Sequence, residues 1–204
     1  MLSYETVVPD TLELLKELMN VPIFSEMRLV GGTALALQYG HRQSVDLDFF
    51  GKLNASAEEI DAALGKIGNY TIFNRTENIR IYEVNGVKVD FVNYRYNWID
   101  NMVEEGIIRL ASPKDIAAMK VNAIEGRGSR KDFIDMFFLL EHYSFNEIIG
   151  FYKEKYPEHS VFRALMSFTY FSDAETQIMP KMLVPFEWEK LKNRIVYEID
   201  SYSK

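Results

Sequence analysis

The stretch Leu29-Val30-Gly31-Gly32-Thr33-Ala34-Leu35-Ala36-Leu37-Gln38-Tyr39-Gly40, followed by Arg42-Gln43-Ser44-Val45-Asp46-Leu47-Asp48-Phe49-Phe50, decides the fold. Met27 to Val30 reads as a short strand that runs into two glycines. Thr33 is the expected N-cap of a helix that Gly40 closes. Ser44 to Phe50 alternates and reads as a second strand. In a strand, residues i and i+2 point the same way about 7 Å apart, so Asp46 and Asp48 share a face while Leu47 turns to the core. Two carboxylates so close repel unless a cation lies between them. Oxygen ligands of this kind suit a hard ion such as Mg²⁺. Taken alone, the pair fits the solvated face of an edge strand equally well.

Two further features argue for a site. Gly31-Gly32 is separated from Asp46 by thirteen intervening residues, at a strand-to-helix turn. Glycines there let the backbone approach a ligand, and a helix N-terminus presents free N–H groups to phosphate; a plain tight turn would use the same residues. Asp90 lies in the alternating run Val87-Lys88-Val89-Asp90-Phe91, where it shares with Lys88 the face opposite Val87, Val89 and Phe91. Asp is disfavoured in strands, so its presence here calls for a reason.

Outward from this core the pattern divides in two. A helix is predicted from Pro9 to Met19, and another opens at the Ser56/Glu59 capping-box pair and runs to about Ile67. Residues 70–74, 79–84 and 87–93 read as three strands, the last two joined by the hairpin signal Asn85-Gly86. Ile107 to Ala111 adds a further strand. Beyond it the strands stop. Ser112 with Pro113 starts a helix, the run Gly126-Arg127-Gly128-Ser129 breaks it, and a helix over 130–141 carries Phe133, Phe137 and Leu140 on one stripe. Helices follow at 145–155, 160–171 and 187–200. The fold class is α+β: a mixed half over 1–110, then an all-helical half over 111–204.

Composition sets the outer limits. The 204 residues are 48% hydrophobic and 26% charged, as in ordinary globular chains. With no Cys, disulfides and thiolate metal sites are excluded. No apolar run approaches the roughly 20 residues of a membrane span, and the N-terminus lacks the basic start and apolar core of a signal peptide. A cytoplasmic protein with no membrane partner is expected. Net charge is −7, from 23 basic and 30 acidic residues, so affinity for RNA or DNA cannot come from overall charge. Such a partner requires a local patch, or metal ions bridging carboxylates to phosphate. His41, His142 and His159 fit no metal-ligand spacing. Tyr94, Tyr96 and Trp98 would stack on a nucleobase or pack inside the protein, with packing favoured. No Walker-type, dinucleotide-binding or serine-hydrolase motif is present.

Strand, glycine pair, helix, Asp-x-Asp and a later strand with one more Asp together resemble the nucleotidyltransferase superfamily with a polymerase-beta-like palm. The pattern stands here as Leu29-Val30-Gly31-Gly32-Thr33, Val45-Asp46-Leu47-Asp48-Phe49 and Val89-Asp90-Phe91-Val92. In the helical half, Lys120, Arg127, Arg130-Lys131-Asp132 and Asp135 look like the signature of the AbiEii/AbiGii toxin family of nucleotidyltransferases. The phrase Arg42-x-Ser44-x-Asp46-Leu47-Asp48-Phe49-Phe50 is also similar to that family. The resemblance covers about residues 27–141.

It implies an N-terminal palm with a mixed β-sheet and flanking helices over 1–110, and a C-terminal helical bundle over 111–204 that completes the active site. Asp46, Asp48 and Asp90 would hold Mg²⁺ or Mn²⁺ and, with Lys120 and Asp132, form the catalytic set. Gly31, Gly32, Thr33, Arg42, Ser44, Arg127 and Lys131 would bind the nucleotide and its phosphates. The implied reaction moves a nucleoside monophosphate from a nucleoside triphosphate to an acceptor hydroxyl, with a tRNA 3′ end as one acceptor. The implied role is the toxin of a toxin–antitoxin or abortive-infection pair, with a cognate antitoxin as partner. Residue chemistry agrees independently: between Ser112 and Asp132 five basic residues face three acidic ones in an otherwise acidic chain. Lys120 would neutralise a triphosphate, and Arg127 with Arg130 or Lys131 would hold phosphate or acceptor backbone. Asp132 is expected to orient Lys120 or the phosphates, and Asp135 to be structural. A non-catalytic module that binds nucleotide or a partner on the same fold is the alternative.

Overall fold

Local signals set most element ends. The structure, a computed structural model, describes residues 1–202; Ser203 and Lys204, the last positions of the expected helical half, lie outside the described residues. The chain divides into two units, Met1–Arg95 with Met102–Ala111, and Tyr96–Asn101 with the residues from Ser112 onward.

In the first unit, α1 (Pro9–Asn20) buries Leu14, Leu15, Leu18 and Met19 along one stripe. β1 (Met27–Leu29), α2 (Gly31–Tyr39), β2 (Leu47–Gly51) and α3 (Ala57–Ile67) follow. Next come β3 (Tyr70–Arg75), β4 (Ile79–Val84), β5 (Val87–Asn93), β6 (Val103–Glu105) and β7 (Ile108–Leu110). They form one mixed sheet in the order β3-β4-β5-β2-β1-β7-β6. β2 pairs with β5 and β1 with β7 in parallel, while the other neighbours are antiparallel. Leu47, Phe49, Val89 and Phe91 are fully buried on one face. Phe91 stacks on Phe24 at 4.4 Å and on Phe49 at 5.5 Å. Burying such a ring stabilises the fold by about 1.5–3 kcal/mol, and that commitment fixes which residues of β2 and β5 must face the other way. The β4–β5 turn has φ 49° at Asn85 and 81° at Gly86, as a two-residue hairpin demands.

Three details differ from the sequence reading. Helix α2 begins at Gly31, with Val30 at the cap position and Thr33 inside the first turn. Gly31 turns the chain into the helix at φ 68°, and no side-chain cap bonds the first turn. β2 starts at Leu47 rather than Ser44, because the preceding backbone is satisfied outside the ladder. The Ser44 N–H donates to Thr6 O at 2.9 Å, and the Thr33 hydroxyl donates to Asp46 O. The polar strand β6, Val103-Glu104-Glu105, pairs with β7 at the sheet edge and carries no apolar alternation that would announce it.

The second unit holds α4 (Pro113–Gly126), α5 (Arg130–Leu139), α6 (Phe145–Lys155), α7 (Val161–Phe168), α8 (Ser172–Glu175) and α9 (Trp188–Tyr202). Ser112 caps α4, and capping boxes Ser129/Asp132 and Ser144/Glu147 open α5 and α6. The stripe predicted for α5 is too narrow: Asp132 through Met136, Phe138 and Leu139 are all buried, and Phe137 is the half-exposed one. A helix enclosed nearly all round has no single apolar face.

Segment Tyr96–Asn101 joins this unit through a buried ion pair. Lys155 Nζ lies 2.7 Å from Asp115 Oδ1, both side chains fully enclosed. Asp115 also accepts the N–H groups of Ile99 at 2.9 Å and Asp100 at 3.3 Å, while Lys155 donates to Asn97 O at 2.9 Å. Trp98 lies 4.6 Å under the Lys155 ammonium, and Tyr96 packs edge-on against Tyr156 at 4.7 Å. These aromatics therefore serve packing, as does Tyr94 against Phe50 in the first unit at 5.2 Å.

Candidate active site

Because β2 and β5 run parallel in register, Asp48 stands directly beside Asp90. The buried neighbours of each strand turn both carboxylates to the opposite face. Asp46 lies one step before β2, half-buried, with its carbonyl held by Thr33. Thr33 is itself buried, and its hydroxyl bonds to Ser44 Oγ at 2.8 Å. The two hydroxyls thus fix the loop that carries Asp46 to α2. Arg42 is almost wholly enclosed and donates to Gln43 O at 3.0 Å. Its consequence is the shape of the loop before Asp46.

The glycine pair has a different task. At Gly31 an added Cβ would stand 2.6 Å from Asp48 Oδ2, so a side chain there would push this carboxylate away from the first turn of α2. Val30 supplies no side-chain cap, and the first-turn N–H groups of a helix have no partners within it. A carboxylate and a set of N–H donors are thereby held side by side, the positive helix end favouring negative charge. Gly31→Ala is expected to cost about 1–2 kcal/mol from the left-handed backbone alone. It should also displace Asp48 and lower catalytic turnover about 10²-fold, the scale of a misplacement near 1 Å. Urea unfolding and a turnover assay on the same preparation check both.

Asp90 has two unlike oxygens. Oδ2 accepts an ion-pair contact from Lys88 Nζ at 2.7 Å. Oδ1 is buried and has no hydrogen-bond partner among the described residues. A buried carboxylate oxygen left without a donor is costly, and a hard cation would satisfy it. The donor set, acceptor-only carboxylates on one face, fits Mg²⁺ or Mn²⁺. Among the described residues, no group of three His, Cys, Asp or Glu side chains is drawn together so as to hold an ion as it stands. The ammonium of Lys88 is the cation beside Asp90.

In the helical unit a second charged cluster is built on α4 and α5. Lys120 Nζ lies 2.9 Å from Asp132 Oδ1 and 2.5 Å from Asp135 Oδ2, with its side chain only 6% exposed. Arg127 grips Asp132 with two nitrogens, at 2.8 and 3.1 Å. The N–H and Oγ of Ser129 add bonds of 3.3 and 2.6 Å. Burial alone would raise the Asp132 pKa, but the Lys120 and Arg127 charges and the Ser129 bond outweigh it and hold the carboxyl well below the usual range. Asp135 shares the Lys120 ammonium equally, a contact that spacing alone did not assign to it. Arg127 is the cation of this cluster presented outward, its side chain 70% exposed. It lines a depression of about 340 Å³ with Glu125, Gly128, Met166, Tyr170 and Asp173. Lys131 is exposed on α5. Arg130 instead donates to Ala174 O and Glu175 O, both at 2.7 Å, and lies 4.8 Å over Trp188.

A carboxyl whose folded pKa is depressed contributes stability above its unfolded pKa, and that contribution is lost as pH falls through the folded value. Stability from Asp132 should therefore be complete at neutral pH and fade below about pH 4, the ordinary carboxylate range. Urea midpoints from pH 7 to pH 3 should fall more steeply for the parent chain than for Asp132→Asn.

The family model described as nucleotidyl transferase AbiEii toxin, type IV TA system, matches residues 13–201, well beyond the motif region. Uncharacterized protein aq_aa25 of Aquifex aeolicus (strain VF5) is 31% identical over 196 residues, covering 93% of this chain and 94% of the relative. JHP933 from Helicobacter pylori shares the fold with a TM-score of 0.58 at 19% identity, over 96% of this chain and 92% of that one. ANT(2'')-Ia, solved in complex with adenylyl-2''-tobramycin, aligns with a TM-score of 0.53 at 13% identity, over 74% of this chain and 96% of that one. With a mixed sheet that sets Asp48 beside Asp90 at the N-terminus of α2, and a family match across nearly its full length, the chain belongs to the nucleotidyl transferase AbiEii toxin family of type IV toxin–antitoxin systems.

Proposed function

We propose that this chain transfers a nucleoside monophosphate from a nucleoside triphosphate to an acceptor hydroxyl, and that a tRNA 3′ end is the acceptor to test first. The reading is carried by Asp48 and Asp90 side by side at the N-terminus of α2. Bound by Asp46, Asp48 and Asp90, Mg²⁺ or Mn²⁺ would neutralise the triphosphate and lower the pKa of the attacking hydroxyl. The first-turn N–H groups of Gly31 and Gly32 hold phosphate oxygens as pre-oriented donors. Thr33 and Ser44 act one layer back, keeping the Asp46 loop in place. The acceptor oxygen bonds to the α-phosphorus, the bond to the pyrophosphate oxygen breaks so that pyrophosphate leaves, and the hydroxyl proton passes to solvent.

For the helical unit the direct phosphate or acceptor contact passes from Lys120 to Arg127. Lys120 is buried between two carboxylates, so it balances charge, and Asp132 holds the Arg127 fork in a fixed plane. Lys131 adds an exposed positive charge at the start of α5. In the cell the reaction would arrest growth, and a cognate antitoxin would relieve it.

The test is transfer from α-labelled nucleoside triphosphates, each base separately, into total tRNA with Mg²⁺, with Asp90→Asn run in parallel. Label in tRNA that disappears in the variant supports the reading and names the base. Label on protein moves the acceptor to a polypeptide. Triphosphate binding with no transfer to any acceptor would leave a nucleotide-binding module.

A further inference from the structure

We infer that Lys88 is a built-in counter-ion of the carboxylate site, and that a divalent cation entering the nucleotide-free protein must displace it. The inference rests on the proposed use of Asp48 and Asp90 as metal ligands and goes beyond it to a residue with no role in that reading. In register, Asp48 pairs with Asp90 across β2 and β5, and Ile81 and Glu83 pair with Asp90 and Lys88 across β4 and β5. Asp48, Asp90, Lys88 and Glu83 therefore share one face of the sheet. The Lys88 ammonium rests 2.7 Å from Asp90 Oδ2 while Oδ1 stays buried without a donor among the described residues.

A single ammonium answers one oxygen of one carboxylate. A divalent ion would answer several at once, and its charge is disfavoured while a positive group stays in contact with the same carboxylate. Lys88 is 43% exposed, so it has room to swing into solvent when displaced. Only the lysine of the pair is open to solvent, the Asp90 side chain being 18% exposed, which suits a counter-ion that must leave while its carboxylate stays. The consequence is that the site resists filling by free metal and fills when a triphosphate brings further negative charge.

The experiment is calorimetric titration of nucleotide-free full-length protein with Mn²⁺, with Mn²⁺ spin resonance reporting the free ion. Lys88→Met is expected to bind Mn²⁺ about tenfold more tightly than the parent chain, given a half-exposed unit charge in contact with a ligand. Lys88→Arg, which retains the charge, should stay within about twofold of the parent. Asp90→Asn should weaken binding in either background. Mn²⁺ should also raise the thermal midpoint of Lys88→Met more than that of the parent. Because the parent, Lys88→Met and Lys88→Arg all keep the strand, a folding defect would show in the metal-free melts and be separable. Equal or weaker Mn²⁺ binding by Lys88→Met overturns the inference while leaving the carboxylate site in place. Absence of Mn²⁺ binding by every variant overturns both.

Discussion

Asp48→Asn is expected to lower nucleotidyl transfer by about 10³-fold or more, the range of a lost preorganised electrostatic contact at a reacting centre, and to leave the fold intact. The reason lies in what the carboxylate touches. Asp48 stands beside Asp90 in register and against the first turn of α2, on the face away from the core. The isosteric amide keeps the shape that Gly31 accommodates. It removes one of the clustered negative charges, so repulsion with Asp90 falls. Urea unfolding should thus shift by less than about 1 kcal/mol, the ordinary size of a surface change. The pairing of lost turnover with retained stability is the signature sought. Equal loss of both, seen as a collapsed circular dichroism spectrum, would make Asp48 a structural residue and remove the basis for the metal site.

Asp115→Ala is expected to be the most destabilising single change in the helical unit, at about 3–5 kcal/mol, the cost of stranding a buried charge. Lys155 would be left enclosed without its carboxylate partner, its ammonium still donating to Asn97 O and lying over the Trp98 ring. The variant also loses the bonds to the Ile99 and Asp100 N–H groups and to the Ser112 hydroxyl, the last at 2.6 Å. Segment Tyr96–Asn101 would therefore come loose from the start of α4. Lys155→Met should cost less, since Asp115 keeps those three donors and the methionine fills the space of the lysine stem. Thermal melting ranks the two, with a fall of about 2–4 °C expected per kcal/mol in a chain of this size. If Lys155→Met proves the worse of the pair, the loop anchor is secondary to the charge.

Much of the candidate site is legible in the residues themselves, for a local reason. Alternation in Val45 to Phe49 and in Val87 to Phe91 assigns each Asp to the polar face whatever lies across the sheet. The Asn85-Gly86 turn, the Ser56/Glu59 box and the Ser112-Pro113 start depend on neighbours within four residues. Other residues carry no such mark. Arg42 reads as a phosphate ligand and is buried. Thr33 reads as a cap and instead ties its hydroxyl to Ser44 and Asp46. Lys120 reads as a phosphate cation and is enclosed by Asp132 and Asp135. In each case the side chain has two chemically equal uses, and only the burial of its surroundings selects between them.

From the sequence alone come the α+β division, most of the element order, and the polar setting of Asp48 and Asp90. These follow from periods of 2 and 3.6 residues and from cap chemistry, which act over one turn of chain. Tertiary structure decides which strands meet. The parallel β2–β5 register joins Asp48 to Asp90 across 42 positions of chain, the Asp115–Lys155 pair closes over 40, and polar β6 is a strand only because β7 offers it a ladder. Partners so distant are chosen by how whole faces bury and pair, a property that no short stretch of residues contains.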